Sequence, residues 1–297
     1  MKFPIPPESE VQRVLGLADE PEHIGTGGFK AVYSFLSETG EKEVVKAVYI
    51  PPPGTDEEML FREQMIARAK REVQALGACA SPHLVKLGGI PAELHELVGH
   101  DYFVYGEEFL PGAPLSKRIG DDTLSYELLF SVFATLVELI EELVTIGYLH
   151  RDIKPDNIMD TGDPARRYVM LDLGIAYKMH GTALTGGGGP PGTLRYMAPE
   201  LLKPDYKDNM DFRCDLYAAG LTIYVLASGT HPFAPQPEHE YATVYRIMKT
   251  TPTPLAHLCP HLPPEFCAVI DRCMRKKPAL RYAKIDLLKN DLRRVAP

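Results

Sequence analysis

The segment His150-Arg151-Asp152-Ile153-Lys154-Pro155-Asp156-Asn157 puts a carboxylate base, a cation and a metal-ligating amide into one short loop. Its flanks fix where such a loop can stand. Tyr126 to Ile146 precedes it, with Leu129, Val132, Phe133, Leu136, Ile140 and Leu143 at the 3–4 spacing of one helical face. A second Asp follows in Leu171-Asp172-Leu173-Gly174. Chemistry on a phosphate asks a protein for positioning, a metal and charge neutralisation, and these residue types supply all three.

Either side of the loop the patterning differs. Ile24-Gly25-Thr26-Gly27-Gly28-Phe29-Lys30-Ala31-Val32-Tyr33 reads as a strand, a glycine turn and a return strand, and Glu43 to Tyr49 as a third β-rich run. Leu84 to Leu87 and Tyr102 to Tyr105 read as two more strands. Glu57 to Leu76 has helical composition, with Met59, Ile66, Val73 and Leu76 as its apolar side. After Pro111-Gly112-Ala113-Pro114 the chain turns mostly helical, with further helices expected at Cys214–Ser228, Tyr241–Lys249, Pro264–Arg275 and Ile285–Arg294. A small β-rich part with one main helix thus precedes a larger helical part.

Bulk properties exclude several classes. At 297 residues the chain can fill two lobes or one large domain. A net charge of −8 argues against a nucleic-acid surface. The most apolar segment, Leu128 to Ile146, is interrupted by Glu138, Glu141 and Glu142, so no membrane span is expected. Met1 to Glu10 has no apolar core of a signal peptide. Five cysteines (Cys79, Cys214, Cys259, Cys267, Cys273) form no C-x-x-C pair, which suggests reduced thiols in a cytoplasmic setting. His257, Cys259, His261, Cys267 and Cys273 match no zinc-finger spacing, and buried small hydrophobes are the expected reading.

Taken in order, these motifs resemble a eukaryotic-type (Hanks-type) serine/threonine protein kinase from about Ile24 to Leu292. The resemblance implies an α+β, bilobal fold: an N-terminal extension over residues 1–20, a small β-rich N-lobe over 21–110 and a larger, mostly helical C-lobe over 111–297. It implies ATP and Mg²⁺ (Mn²⁺ as a substitute) as cofactors, and a protein as substrate. Ile24, Gly25, Thr26, Gly27, Gly28 and Val32 would cradle the nucleotide, glycine permitting close backbone approach to phosphate oxygens. Lys46 would bind its phosphates, oriented by a helical Glu. Glu72 is the candidate, with Glu58 and Glu63 as weaker ones. The Glu108 carbonyl and Leu110 N–H would meet the adenine. Asp152 would orient the acceptor hydroxyl, Lys154 neutralise the transferring group, and Asn157 and Asp172 hold Mg²⁺. Lys154 and Thr193 match the Ser/Thr-specific branch. Glu200 is expected to pair with Arg281, Asp215 to anchor the central loop, and His150 to pack as a core residue.

Three departures stand out. Lys30 occupies the third glycine of the family's G-x-G-x-x-G-x-V pattern. Asp-Leu-Gly replaces Asp-Phe-Gly, keeping the ligand. Glu107 falls where the back of the nucleotide pocket is usually apolar or hydroxylic, so either the register is off by one or that pocket is polar. Glu107, Glu108, Asp121 and Asp122 are otherwise expected as solvated surface. Arg151 beside Asp152 points to control by phosphate on the segment Asp172 to Glu200, with Thr182 and Thr185 as acceptors. A pseudokinase acting as a binding or scaffold module and a small-molecule kinase on the same fold are the alternatives. The sequence leaves substrate identity and oligomeric state open.

Overall fold

Antiparallel strands joined by glycine turns build the first part of the chain. The computed structural model describes residues 3–121, 124–173, 177–178, 193–203, 206, 210–235 and 240–297. Among these, contacts define two compact units, one running to Ala80 with Val85–Pro111, the other holding Ser81–Leu84 and the chain from Gly112 onward.

The first unit is an antiparallel sheet of β1 (Glu22–Gly27), β2 (Lys30–Leu36), β3 (Lys42–Ile50), β4 (Glu93–Leu97) and β5 (His100–Glu108), ordered β1-β2-β3-β5-β4. Gly27 pairs with Lys30, so Gly28-Phe29 is a two-residue hairpin turn, with Gly28 at φ 61°. Glycine takes that conformation without steric cost. Directly opposed residues share a face. Ala31, Tyr33, Phe35, Val45, Ala47, Tyr102 and Val104 therefore lie on one side, where Val11 of α1 (Glu8–Leu15) joins their core. Lys30, Val32, Lys46, Val48, Phe103, Tyr105 and Glu107 occupy the other.

Helix α2 (Asp56–Ala78) packs on β3 and β5. A capping box starts it: Thr55 Oγ1 accepts from Glu58 N–H, and Glu58 Oε2 accepts from Thr55 N–H. Its buried stripe is Met65, Ala69, Glu72 and Leu76. This corrects the expected apolar side, since Met59 is 49% exposed. The expected strand at Leu84 to Leu87 is two isolated bridges, and β4 is a strand the sequence did not suggest. Its charged sequence, Glu-Leu-His-Glu-Leu, is an edge strand with little to bury.

The second unit is organised around α4 (Arg213–Ser228), buried from Cys214 to Leu226. A helix apolar on every side belongs in a core. It packs against α3 (Tyr126–Thr145) and α7 (Pro264–Cys273). A Cβ on Gly220 would lie 2.8 Å from Cys273 Cβ, so glycine allows the α4–α7 approach. Helices α5 (Glu240–Lys249), α6 (Leu255–Leu258) and α8 (Ile285–Arg294) complete the helical part. Short strands β6 (Ala113–Pro114), β7 (Tyr148–Leu149), β8 (Ile158–Asp160), β9 (Tyr168–Met170) and β10 (Tyr177–Lys178) carry the loop that follows α3. All five cysteines are free and buried. Among the described residues, no helix is long and apolar enough to cross a membrane.

Candidate active site

The loop His150–Asn157 leaves β7 and enters β8 through a 3-10 turn at Pro155–Asn157. Asp215, in the first turn of α4, fixes its start: its two carboxylate oxygens accept the N–H groups of His150 and Arg151 at 2.8 Å each. Burial pushes the Asp215 carboxyl up to about 6, against those two hydrogen bonds. His150 is fully buried, and its Nδ1 accepts from Asp152 N–H at 3.2 Å. Burial pushes its imidazole down to about 4, so it is a neutral core residue.

Asp152 is the centre of this loop. Both its carboxylate oxygens accept from Lys154 Nζ at 2.8 Å, and Asn157 Nδ2 donates to Oδ2 at 2.9 Å and to the Asp152 carbonyl at 3.0 Å. Two acceptors facing the Asn157 amide fix its orientation, leaving Oδ1 as the end able to meet a cation. Burial raises the Asp152 carboxyl, and the charge of Asp172 adds to that, while Lys154 and Asn157 oppose it. The β8–β9 ladder, extended by Leu171 N–H donating to the Asn157 carbonyl at 2.8 Å, brings Asp172 to the same place. Thus Asp152, Lys154, Asn157 and Asp172 converge within one unit.

The first unit holds the other predicted group. Lys46 Nζ binds Glu107 Oε1 at 2.7 Å, and both side chains are buried. Glu72 accepts from Lys30 Nζ through both oxygens at 3.0 Å each. The resemblance implied Lys46 against Glu72; the contacts the structure describes put Lys30 on Glu72 and Glu107 on Lys46. Glu58 and Glu63 are exposed, and Glu72 alone of the three is buried. Glu107 is 2% exposed, which corrects its reading as solvated surface. On β5 it lies opposite Val44, with its carboxylate in the interior of this unit. Sequence reasoning marked Lys30 and Glu107 as departures without seeing that each takes an ionic partner.

Ile24, Gly25, Thr26 and Gly27 lie on β1, and Val32 on β2. Glu108 ends β5; its N–H donates to the Lys86 carbonyl and its side chain accepts from Lys86 N–H. Leu110 follows it in the link to Pro111. Thr193 opens a 3-10 turn to Tyr196, its side chain lying outside what the structure describes. Thr182, Thr185 and Asp122 also fall outside the described residues. Glu200 and Arg281 form a buried bidentate pair at 2.6 and 2.8 Å.

A family model described as protein kinase domain matches residues 19–292. The chain belongs to the protein kinase family. It is 30% identical over 285 residues to the serine/threonine-protein kinase PknH of Mycobacterium bovis, covering 93% of this chain and 43% of the relative. It is 30% identical over 276 residues to the serine/threonine-protein kinase Pkn1 of Myxococcus xanthus, covering 91% and 37%. It is 28% identical over 278 residues to the probable serine/threonine-protein kinase PknB of Bifidobacterium longum, covering 91% and 38%. The chain therefore spans about two fifths of the length of these curated relatives. It is a protein kinase domain, and its α+β make-up is that of the family.

Proposed function

We propose that this kinase domain transfers the γ-phosphoryl group of Mg-ATP to Ser or Thr hydroxyls of a protein. The observation that carries this reading is the Asp152 carboxylate, half-buried and held between Lys154 and Asn157 with Asp172 beside it. A base must be positioned before its pKa matters, and this one is positioned by two donors.

The donor set suits Mg²⁺. Hard oxygens from one or two side chains, completed by phosphate oxygens, are what this ion takes, and Asn157 Oδ1 with the Asp172 carboxylate provide them. When bound, the ion supplies charge neutralisation on the nucleotide phosphates. Asp152 accepts the proton of the acceptor hydroxyl and aims its oxygen. Lys154 is the cation for the transferring group, and Lys46 for the phosphates that stay behind. Ile24 to Gly28 and Val32 cover the nucleotide, with the Glu108 carbonyl and Leu110 N–H on the adenine. Lys154 and Thr193 favour a Ser or Thr acceptor. Phosphate on Thr182 or Thr185, read by Arg151, is the proposed control. Free, buried cysteines support a reducing, cytoplasmic setting.

Incubation with radiolabelled Mg-ATP and a panel of proteins tests the reading, with Asp152→Ala as control. Wild type is expected to place label on Ser or Thr of a protein, and the variant to place none. Equal background from both would leave a binding scaffold, and label only in small molecules a different kinase.

A further inference from the structure

Two departures from the family pattern, 77 positions apart in the chain, meet on one face of the sheet. Lys30 is opposed by Val48 and Glu107 by Val44, with Lys46 midway between those two on β3. All three side chains therefore leave the sheet on the side where α2 presents Glu72. Lys30 carries 18% side-chain exposure, Lys46 8%, Glu107 3% and Glu72 2%. These four residues bring two ammonium groups and two carboxylates together, largely out of solvent.

We propose that Lys30 and Glu107 are positioning residues for the phosphate-binding end of this kinase: Lys30 fixes the α2 carboxylate, and Glu107 fixes the Lys46 ammonium. This rests on the reading of Lys46 as the phosphate cation. A kinase with glycine at position 30 and an apolar residue at 107 has one ammonium and one carboxylate here, which must pair with each other. In this chain Lys30 binds the Glu72 carboxylate and Glu107 binds the Lys46 ammonium. Lys46 is thereby anchored from β5, within its own sheet, and α2 is anchored separately through β2. The position of the phosphate cation is set by the register of β3 on β5, and the hold on α2 is moved to the edge of the glycine turn.

Removing Lys30 alone takes away an ammonium that holds the buried Glu72 carboxylate, and an uncompensated buried charge is costly. Removing Glu107 as well restores one ammonium and one carboxylate. The second substitution should repair the first, which two independent packing defects would not do.

The test is a double-mutant cycle of Lys30→Gly and Glu107→Met on the whole chain, read by melting temperature, by binding of Mg-ATP and by kcat and KM for ATP. Lys30→Gly is expected to lower the melting temperature and to reduce kcat/KM at least about tenfold, and Lys30→Gly/Glu107→Met to recover most of both losses. Lys30→Arg, which can still bind both Glu72 oxygens, should retain activity near that of wild type. Should Lys30→Gly not fold, Lys30→Met with Glu107→Gln repeats the cycle. A double variant no better than Lys30→Gly, or shifts that simply add, would overturn the proposal. So would recovery of the melting temperature without recovery of kcat/KM, since the pairs would then be structural only. If wild type itself neither binds Mg-ATP nor transfers phosphate, the kinase reading fails, while the melting cycle still reports whether the four groups act together.

Discussion

Asp215 and Arg151 are joined by a hydrogen bond from the Arg151 N–H to Asp215 Oδ1 at 2.8 Å, across the only part of the His150–Asn157 loop that turns left-handed. Arg151 sits at φ 67°, a region that residues bearing a Cβ rarely occupy. The carboxylate, taking the His150 N–H as well, holds the peptide in that conformation. An Asp215→Asn variant offers one acceptor and one donor to two N–H donors. One buried donor then faces another, which costs about 1–3 kcal/mol. Thermal melting should show the loss, and kcat should fall with it because Asp152 is the next residue. Unchanged kcat would separate the anchor from the active loop.

The same residue predicts a pH trend. Burial lifts the Asp215 carboxyl from 3.8 to about 6 in the folded chain. A raised carboxyl pKa means that the folded state binds the proton more tightly. The associated stability is complete below about pH 4 and lost as pH rises through about 6, on the order of 3 kcal/mol. In denaturant titrations wild type should therefore lose stability from pH 4 to pH 6 relative to Asp215→Asn, which has no proton to lose there. A rise of wild type relative to the variant over that window would mean that the two N–H bonds outweigh burial.

Asp152 should act only when ionised. Its carboxyl is raised by burial and by Asp172, so activity should fade on acidification at a pH above the ordinary carboxylate range. A kcat–pH profile checks this; an acid limb at or below the ordinary value would contradict it. Asp152→Asn should reduce kcat by about 10²–10⁴ at every pH while retaining the native circular dichroism spectrum.

Arg281 is among the largest fully buried side chains of the described residues, and its guanidinium is completed by Glu200 and by the carbonyls of Arg213 and Arg275. Glu200→Gln should destabilise the fold by about 3–5 kcal/mol, because it strands a buried cation. Glu200→Met/Arg281→Met should be less harmful than the single change, since no charge is left behind. Urea midpoints decide it. A double variant worse than the single would show that the pair's geometry matters more than its charge.

Much of this was legible in the chain. The Asp152 loop, Asp172 and the α3 and α4 segments were read from short-range pattern and ordered spacing, and the Glu200–Arg281 pair from the family resemblance. Ion-pair partners did not follow in the same way. Lys30 and Glu107 meet their counter-ions through strand register and through the face that α2 buries, and neither is written locally. The α2 stripe was misjudged for a related reason: Glu72 is a charged residue in a buried row, so hydrophobicity alone pointed the helix the wrong way. Strand β4 was missed because an edge strand needs no apolar alternation.

Residues 3–17 were the other omission, expected only as an extension. They are fastened to the sheet at several points. Tyr33 donates its hydroxyl to the Pro6 carbonyl, Tyr102 donates to the Pro4 carbonyl at 2.7 Å, and Val11 is 1% exposed in the core. Prolines leave their carbonyls available while offering no N–H, so Pro4 and Pro6 suit a chain held only by accepted bonds. The tyrosines stay protonated, since burial raises both hydroxyls, that of Tyr102 to about 12. Tyr102→Phe should then cost about 1 kcal/mol, and Val11→Ala somewhat more through the cavity it leaves. Both losses should appear in the global unfolding transition, because Val11 packs on the sheet that also carries Lys46. A wild-type midpoint for Val11→Ala, with only the N-terminal segment gaining protease sensitivity, would instead make residues 3–17 a separable appendage.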